Sequence, residues 1–158
     1  MNQAQNIEQY LAELKLFSGL DAAYLKFLAD CARRRELQTE EVLFRYGTPA
    51  DRFFLVVKGA ISVEVPAIEG PPVELQKPGP GEVMGWSWLI PPYRWNFQAR
   101  AVEPCEVIEF DGEAVLQRCE DAPDFGYQIL KRFSALMSER LEFARRKLMD
   151  EWSPPGFA

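Results

Sequence analysis

The chain contains no histidine, which removes the commonest metal ligand and the commonest general base from the chemistry open to it. No Ser–His or Cys–His nucleophile pair can be assembled from it. Cysteine is scarce as well: Cys31, Cys105 and Cys119 stand far apart, form no CxxC pair and leave one over. Neither a zinc knuckle nor a disulfide framework follows, and all three are expected to be reduced packing thiols. No window approaches the roughly 20 consecutive apolar residues of a membrane span, and the segment from Met1 to Glu8 lacks the basic and apolar regions of a secretory signal. A soluble, cytoplasmic chain with no membrane partner is therefore expected. Positive charge is also in deficit, with 18 Lys and Arg against 24 Asp and Glu for a formal net charge of −6. Such a surface repels nucleic acid and anionic lipid rather than attracting them.

What is present is enough apolar material, 47% of 158 residues, to bury the core of one globular domain spanning residues 1–158. Ile7, Tyr10, Leu11 and Leu14 recur at three- and four-residue steps, the spacing of one helical face. Asp21 is placed to cap a second helix from Ala22 to about Arg33, with Leu20 stapled against Leu25. From residue 34 to residue 110 the pattern changes to short runs rich in Val, Ile and Phe: Glu41–Arg45, Arg52–Lys58, Ala60–Val65, Val73–Lys77, Phe97–Val102 and Glu106–Phe110. Gly- and Pro-containing turns separate them at close spacing, which predicts antiparallel hairpins rather than parallel crossovers. The fold class is mainly β with flanking helices, an antiparallel jelly-roll or double-stranded β-helix barrel. Asp111 is positioned as an N-cap, and residues 111–152 return to helical composition, ending in a long segment from about Asp124 to Trp152 before Pro154-Pro155.

Along that last segment Leu130, Phe133, Met137, Leu141, Ala144 and Leu148 form one stripe, with Arg145, Arg146 and Lys147 expected on the opposite side. Two uses of the stripe are open: packing against the chain's own barrel, or pairing across a two-fold axis in a homodimer.

The densest feature lies between Gly85 and Phe97, where Trp86, Trp88, Tyr93, Trp95 and Phe97 crowd together around Ser87, Arg94 and Asn96. These rings can plug a pocket, line a site for a flat or apolar ligand, or form a partner-binding patch.

Leu16-Phe-Ser-Gly-Leu20, the run from Glu41 to Gly59 and Pro78-Gly-Pro-Gly-Glu-Val-Met-Gly85 together resemble the cyclic nucleotide-binding domain family, the sensor module of catabolite activator proteins, protein kinase A regulatory subunits and gated channels. The resemblance runs from Leu16 to Leu148, and Gly47, Asp51, Gly59, Gly81, Gly85 and Ala101 all fall at the family's spacing. It implies a regulatory or sensor role without catalysis. It also implies a phosphate-binding cassette of the outline Phe-Gly-Glu-Leu-Ala, a short loop, then Arg-Ala-Ala-Thr-Val-Arg-Ala. The interval from Gly85 to Ala101 fits without a gap, so Trp86 stands where the ribose-binding glutamate belongs and Trp95 where the phosphate-binding arginine belongs. Losing two charge-assisted bonds of about 1.5–3 kcal/mol each weakens binding by roughly 10²- to 10⁴-fold.

The expectation is a degenerate sensor that acts through an unidentified protein partner or a non-standard ligand, with no cofactor. Its candidate pocket comprises Gly85, Trp86, Ser87, Trp88, Arg94, Trp95, Asn96 and Phe97. The alternative is a working receptor for cyclic AMP or cyclic GMP that recruits Arg94, one residue before the expected arginine, together with backbone N–H groups. The histidine-based metal sites of cupin-type barrels are ruled out by composition. Transcription factors of the resembling family carry a helix-turn-helix after the long helix, whereas six residues follow Trp152 here, so this chain is not expected to read DNA by that route.

Overall fold

The computed structural model describes residues 3–151 and opens with α1 (Gln3–Ala12). Ile7 and Leu11 are fully buried, and Tyr10 and Leu14 lie at the margin of the same cluster, so the expected face is the one used. A 3-10 turn at Lys15–Phe17 leads into α2 (Ala22–Asp30). Asp21 occupies the N-cap position, but its carboxylate makes no capping bond; its backbone carbonyl accepts the N–H groups of Tyr24 and Leu25. Leu20 and Leu25 are buried together in the same cluster, as a hydrophobic staple requires.

Helix α2 stops at Asp30 rather than near Arg33, because the next residues pair as a strand. The eight strands are β1 (Ala32–Leu37), β2 (Val42–Phe44), β3 (Arg52–Lys58), β4 (Ile61–Val65), β5 (Val73–Gln76), β6 (Val83–Met84), β7 (Gln98–Ala101) and β8 (Cys105–Asp111). They form two antiparallel sheets of four, in the orders β1-β8-β3-β6 and β2-β7-β4-β5, the jelly-roll arrangement. Six of the strands fall on the expected runs. The two that do not, β1 and β6, have physical reasons to escape a reading by hydrophobicity. β1 carries Arg33-Arg34-Arg35-Glu36 and is held by pairing every one of its residues with β8, where Glu106 and Glu109 meet its arginines. β6 is two residues long.

The first sheet is covered on both faces, which explains why Phe53, Phe54, Leu55 and Val56 are all buried in one strand. Phe53, Leu55, Ile108 and Phe110 face the helices, while Phe54, Val56, Cys105 and Val107 face the second sheet across the roll interior. After β8, Asp111 caps α3 (Gly112–Asp121), its carboxylate accepting the Ala114 N–H at 3.1 Å. The last helix, α4 (Pro123–Glu151), buries Phe125, Ile129 and Phe133 against the first sheet and continues past the mouth of the roll. Trp152 and the Pro154-Pro155 stop lie outside the described residues. Among the described residues no helix is long and apolar enough to cross a membrane.

Candidate functional site

Between the open end of the roll and the second half of α4 lies a cavity of about 430 Å³. Its roll side is made by the segment that follows β6. Gly85 has a φ of +95°, a conformation that L side chains rarely adopt, and a Cβ there would stand 2.9 Å from Cη2 of the Trp95 indole. Glycine is what lets the tryptophan slide beneath the backbone. Trp95 is 4% exposed and stacks on Phe44 with ring centroids 3.7 Å apart. Trp86 is half-buried and meets Phe97 edge-on at 5.9 Å. Gly85, Trp86, Ser87, Trp95 and Phe97 all line the cavity.

Trp88, Arg94 and Asn96 do not. Trp88 turns into the helix-side cluster, where its ring stacks on Phe53 at 4.8 Å and meets Phe133 edge-on, and its Nε1–H donates to the Gly85 carbonyl at 3.1 Å. Arg94 is placed by a short backbone ladder: Trp95 N–H donates to Thr48 O, Gly47 N–H to Trp95 O and Ala50 N–H to Tyr93 O. Side chains alternate along such an extended segment, so with Trp95 directed inward, Arg94 and Asn96 are exposed. Arg94 Nη1 donates to the Gly47 carbonyl at 2.8 Å on the outside.

The facing wall is α4. Met137, Leu141, Ala144 and Leu148 line the cavity, whereas Phe133 belongs to the core and Leu130, nearly half exposed, points elsewhere. The expected stripe is thus divided into a buried part, a cavity part and a solvent part. Lys147 lies on the cavity side rather than the opposite side, with Nζ donating to the Glu74 carbonyl at 3.1 Å.

Several wall residues carried no sequence signal of their own, Phe44, Gln76 and Arg140 among them. Only its place beside the stripe points to Arg140, three residues after Met137 and four before Ala144. Its Nη1 bonds the Gln76 side-chain oxygen and its Nη2 donates to Val83 O at 2.8 Å. Burial pushes its guanidinium below the ordinary arginine value, against the opposing pull of Glu82 and Glu139. Among the described residues no carboxylate lines the cavity.

The carboxylates whose titration is shifted are elsewhere. Burial alone would raise Glu109, but bonds from Arg33 and Arg52 outweigh it and hold the carboxyl below its usual range. Glu64 is likewise buried and likewise lowered, by Arg100, Gln98 and Ser62. The cysteines are unpaired. Burial, with nearby acidic groups, pushes the Cys31 and Cys119 thiols up to about 11, so neither is a thiolate at neutral pH. Among the described residues no group of three or more His, Cys, Asp or Glu side chains could hold a metal ion.

With the roll, the cassette segment and the facing helix in place, the lineage is plain. Residues 34–122, more than half of the chain, match the cyclic nucleotide-binding domain, and the chain belongs to that family. It is 30% identical over 116 residues to a cyclic nucleotide-gated potassium channel of Mesorhizobium japonicum, a match covering 73% of this chain and 31% of the channel. It is 20% identical over 144 residues to a CRP-like cAMP-activated global transcriptional regulator of Mycobacterium tuberculosis, covering 91% of this chain and 62% of the regulator. The chain therefore spans less than a third of the length of the channel and less than two thirds of that of the regulator. A crystal structure of a cyclic nucleotide-binding domain from Methylobacillus flagellatus superimposes with a TM-score of 0.78 at 18% identity, covering 97% of this chain and 86% of that one; at that identity the likeness concerns the fold.

Proposed function

We propose that this chain is a non-catalytic regulatory domain of its family in which the ligand site has been rebuilt for an apolar molecule, so that cyclic AMP and cyclic GMP are no longer tight ligands. The observation that carries the reading is the cavity wall itself. The two positions assigned by resemblance to a glutamate and an arginine hold Trp86 and Trp95, and Trp95 is locked beneath Gly85 against Phe44. A cyclic phosphate entering there meets indole and loses water without gaining a countercharge, a cost that adds to the missing bonds. An open volume between Trp86, Phe97 and α4 supports a ligand-lining role for these two rings over a plug or a surface patch, with Trp88 and Trp95 themselves buried.

A working cyclic-nucleotide receptor, suggested by the names of the relatives, is the second reading. It needs Arg94 to leave its bond to Gly47 O and to cross to the other side of its own backbone. Self-association belongs to the first reading too, since Tyr127, Leu130 and Met149 of α4 are exposed apolar residues that do not line the cavity. Docking of a protein partner on the same helix is compatible with that role.

Calorimetric titration with cyclic AMP and cyclic GMP tests the ligand. The expected outcome is no saturable binding in the low-micromolar range; saturable binding abolished by Arg94→Ala overturns the reading. Light scattering across a concentration series is expected to return a dimer mass, and a monomer throughout removes self-association from it.

A further inference from the structure

We infer that the cavity takes an apolar monoanion, a molecule with an acyl or aryl body and a single acidic head, and that Arg140 of α4 is the residue that reads its charge. This rests on the cavity being a ligand site for something other than a nucleotide.

The lining is apolar apart from Ser87, Gln76 and two cations, Arg140 and Lys147, with no carboxylate among the described residues. In a chain of net charge −6 that local sign is opposite to the whole. Arg140 also differs from six of the chain's other arginines. Arg33, Arg34, Arg35, Arg52, Arg100 and Arg146 each face a carboxylate. Among the described residues Arg140 bonds only two neutral oxygens, the Gln76 side chain and the Val83 carbonyl. A guanidinium carries five N–H donors, so a partly desolvated one bonded to neutral oxygens, with Glu82 and Glu139 acting on it only through space, retains donors for an anionic partner. An acidic head supplies the missing countercharge where it is worth most, at the edge of an apolar space.

The position of the pair fixes which end of the ligand goes where. Arg140 and Gln76 border a second, more polar cavity on the other side, about 820 Å³ in volume. Lys15, Lys77, Lys131 and Arg132 line it against Glu82 and Glu139, and Arg132 Nε is buried without a hydrogen-bond partner among the described residues. The Arg140·Gln76 contact is therefore a partition between an oily chamber and a cationic one. A molecule lying with its body against Trp86, Phe97 and Met137 and its head at this partition satisfies both. The cavity falls in the range of roughly 300–1,000 Å³ usual for small-molecule sites.

Two acids, laurate for the acyl source and 2-naphthoate for the aryl source, are titrated into the full chain beside their uncharged counterparts, dodecanol and 2-naphthalenemethanol. At least one acid is expected to bind ten- to hundred-fold tighter than its alcohol, about the contribution of one charge-assisted bond, and the tighter acid identifies the body. Arg140→Gln should bring acid and alcohol within about threefold. Leu141→Glu, at a cavity residue 72% exposed and so tolerant of charge, should repel the acid by tenfold or more while weakening the alcohol far less; this variant keeps the inference testable if Arg140→Gln does not fold. Equal binding of acid and alcohol, an acid preference that survives Arg140→Gln, an acid indifferent to Leu141→Glu, or no binding of any probe each overturns the inference. Saturable cyclic-nucleotide binding overturns instead the reading on which it rests, and the two failures are read in separate titrations.

Discussion

On the helix side of the first sheet, Phe53 stacks on Phe110 at 4.4 Å and on Trp88 at 4.8 Å, and Phe133 closes the group edge-on at 5.2 Å. On the roll side, Phe44 and Trp95 stack more closely still, at 3.7 Å, yet Trp86 and Phe97 beside them stay only half-buried over an open cavity. Both clusters are rich in aromatic residues and both are faced by the same helix. The difference lies along α4. Its first half presents Phe125, Ile129 and Phe133, all fully buried, and its second half presents Met137, Leu141, Ala144 and Leu148, which border space instead of filling it. One helix therefore seals a core with its first four turns and walls a pocket with the turns that follow, so close packing and open volume are separated by position along a single element.

That separation can be broken by mutation. The largest effect is expected at Phe133→Ala, which empties the sealed cluster and should lower unfolding free energy by about 3–5 kcal/mol; a loss below about 1 kcal/mol in urea titration would erase the contrast between the clusters. An intermediate effect, about 1–3 kcal/mol near neutral pH, is expected at Glu109→Gln, which weakens charged bonds from Arg33, Arg35 and Arg52. Because the folded Glu109 carboxyl lies below its usual value, its contribution is complete above the unfolded value of about 4.3 and disappears as pH falls through the lower, folded one. Wild type and variant should accordingly converge in stability on acidification below about pH 4, and a gap that stays constant there refutes the assignment. The smallest effect is expected at Leu141→Ala, within about 0.5 kcal/mol, because that side chain borders the pocket and is mostly exposed. A cost comparable to that of Phe133→Ala would mean that the second half of the helix is core after all.

Much of this architecture was legible from hydrophobic runs and turn residues, since β3 begins and ends where its pattern does and Asp111 caps α3 as expected. β1 was not legible, because its stability resides in a partner strand sixty and more residues away that supplies carboxylates to its arginines. At the site, the crowd of aromatic residues was visible but their distribution was not. Trp86 and Trp88 differ by two positions, which in a strand would put them on one face; with the turn closed by Leu89 N–H on Trp86 O, Trp88 is buried inside the helix-side cluster while Trp86 packs at its edge and lines the cavity. Arg140 escaped for a related reason. A lone cation on the flank of an apolar stripe reads as solvent-facing until the strand it touches is known.

The short ladder between residues 47–50 and 93–95 makes the character of the pocket a matter of parity. Odd positions 95 and 97 look in; even positions 94 and 96 look out. Inserting one residue upstream of Arg94 while the ladder stays in place would move Arg94 into the slot of Trp95 and Trp95 into that of Asn96, bringing a guanidinium indoors and putting an indole outdoors. A chamber suited to oily guests and one suited to phosphates are thus a single peptide unit apart on the same scaffold.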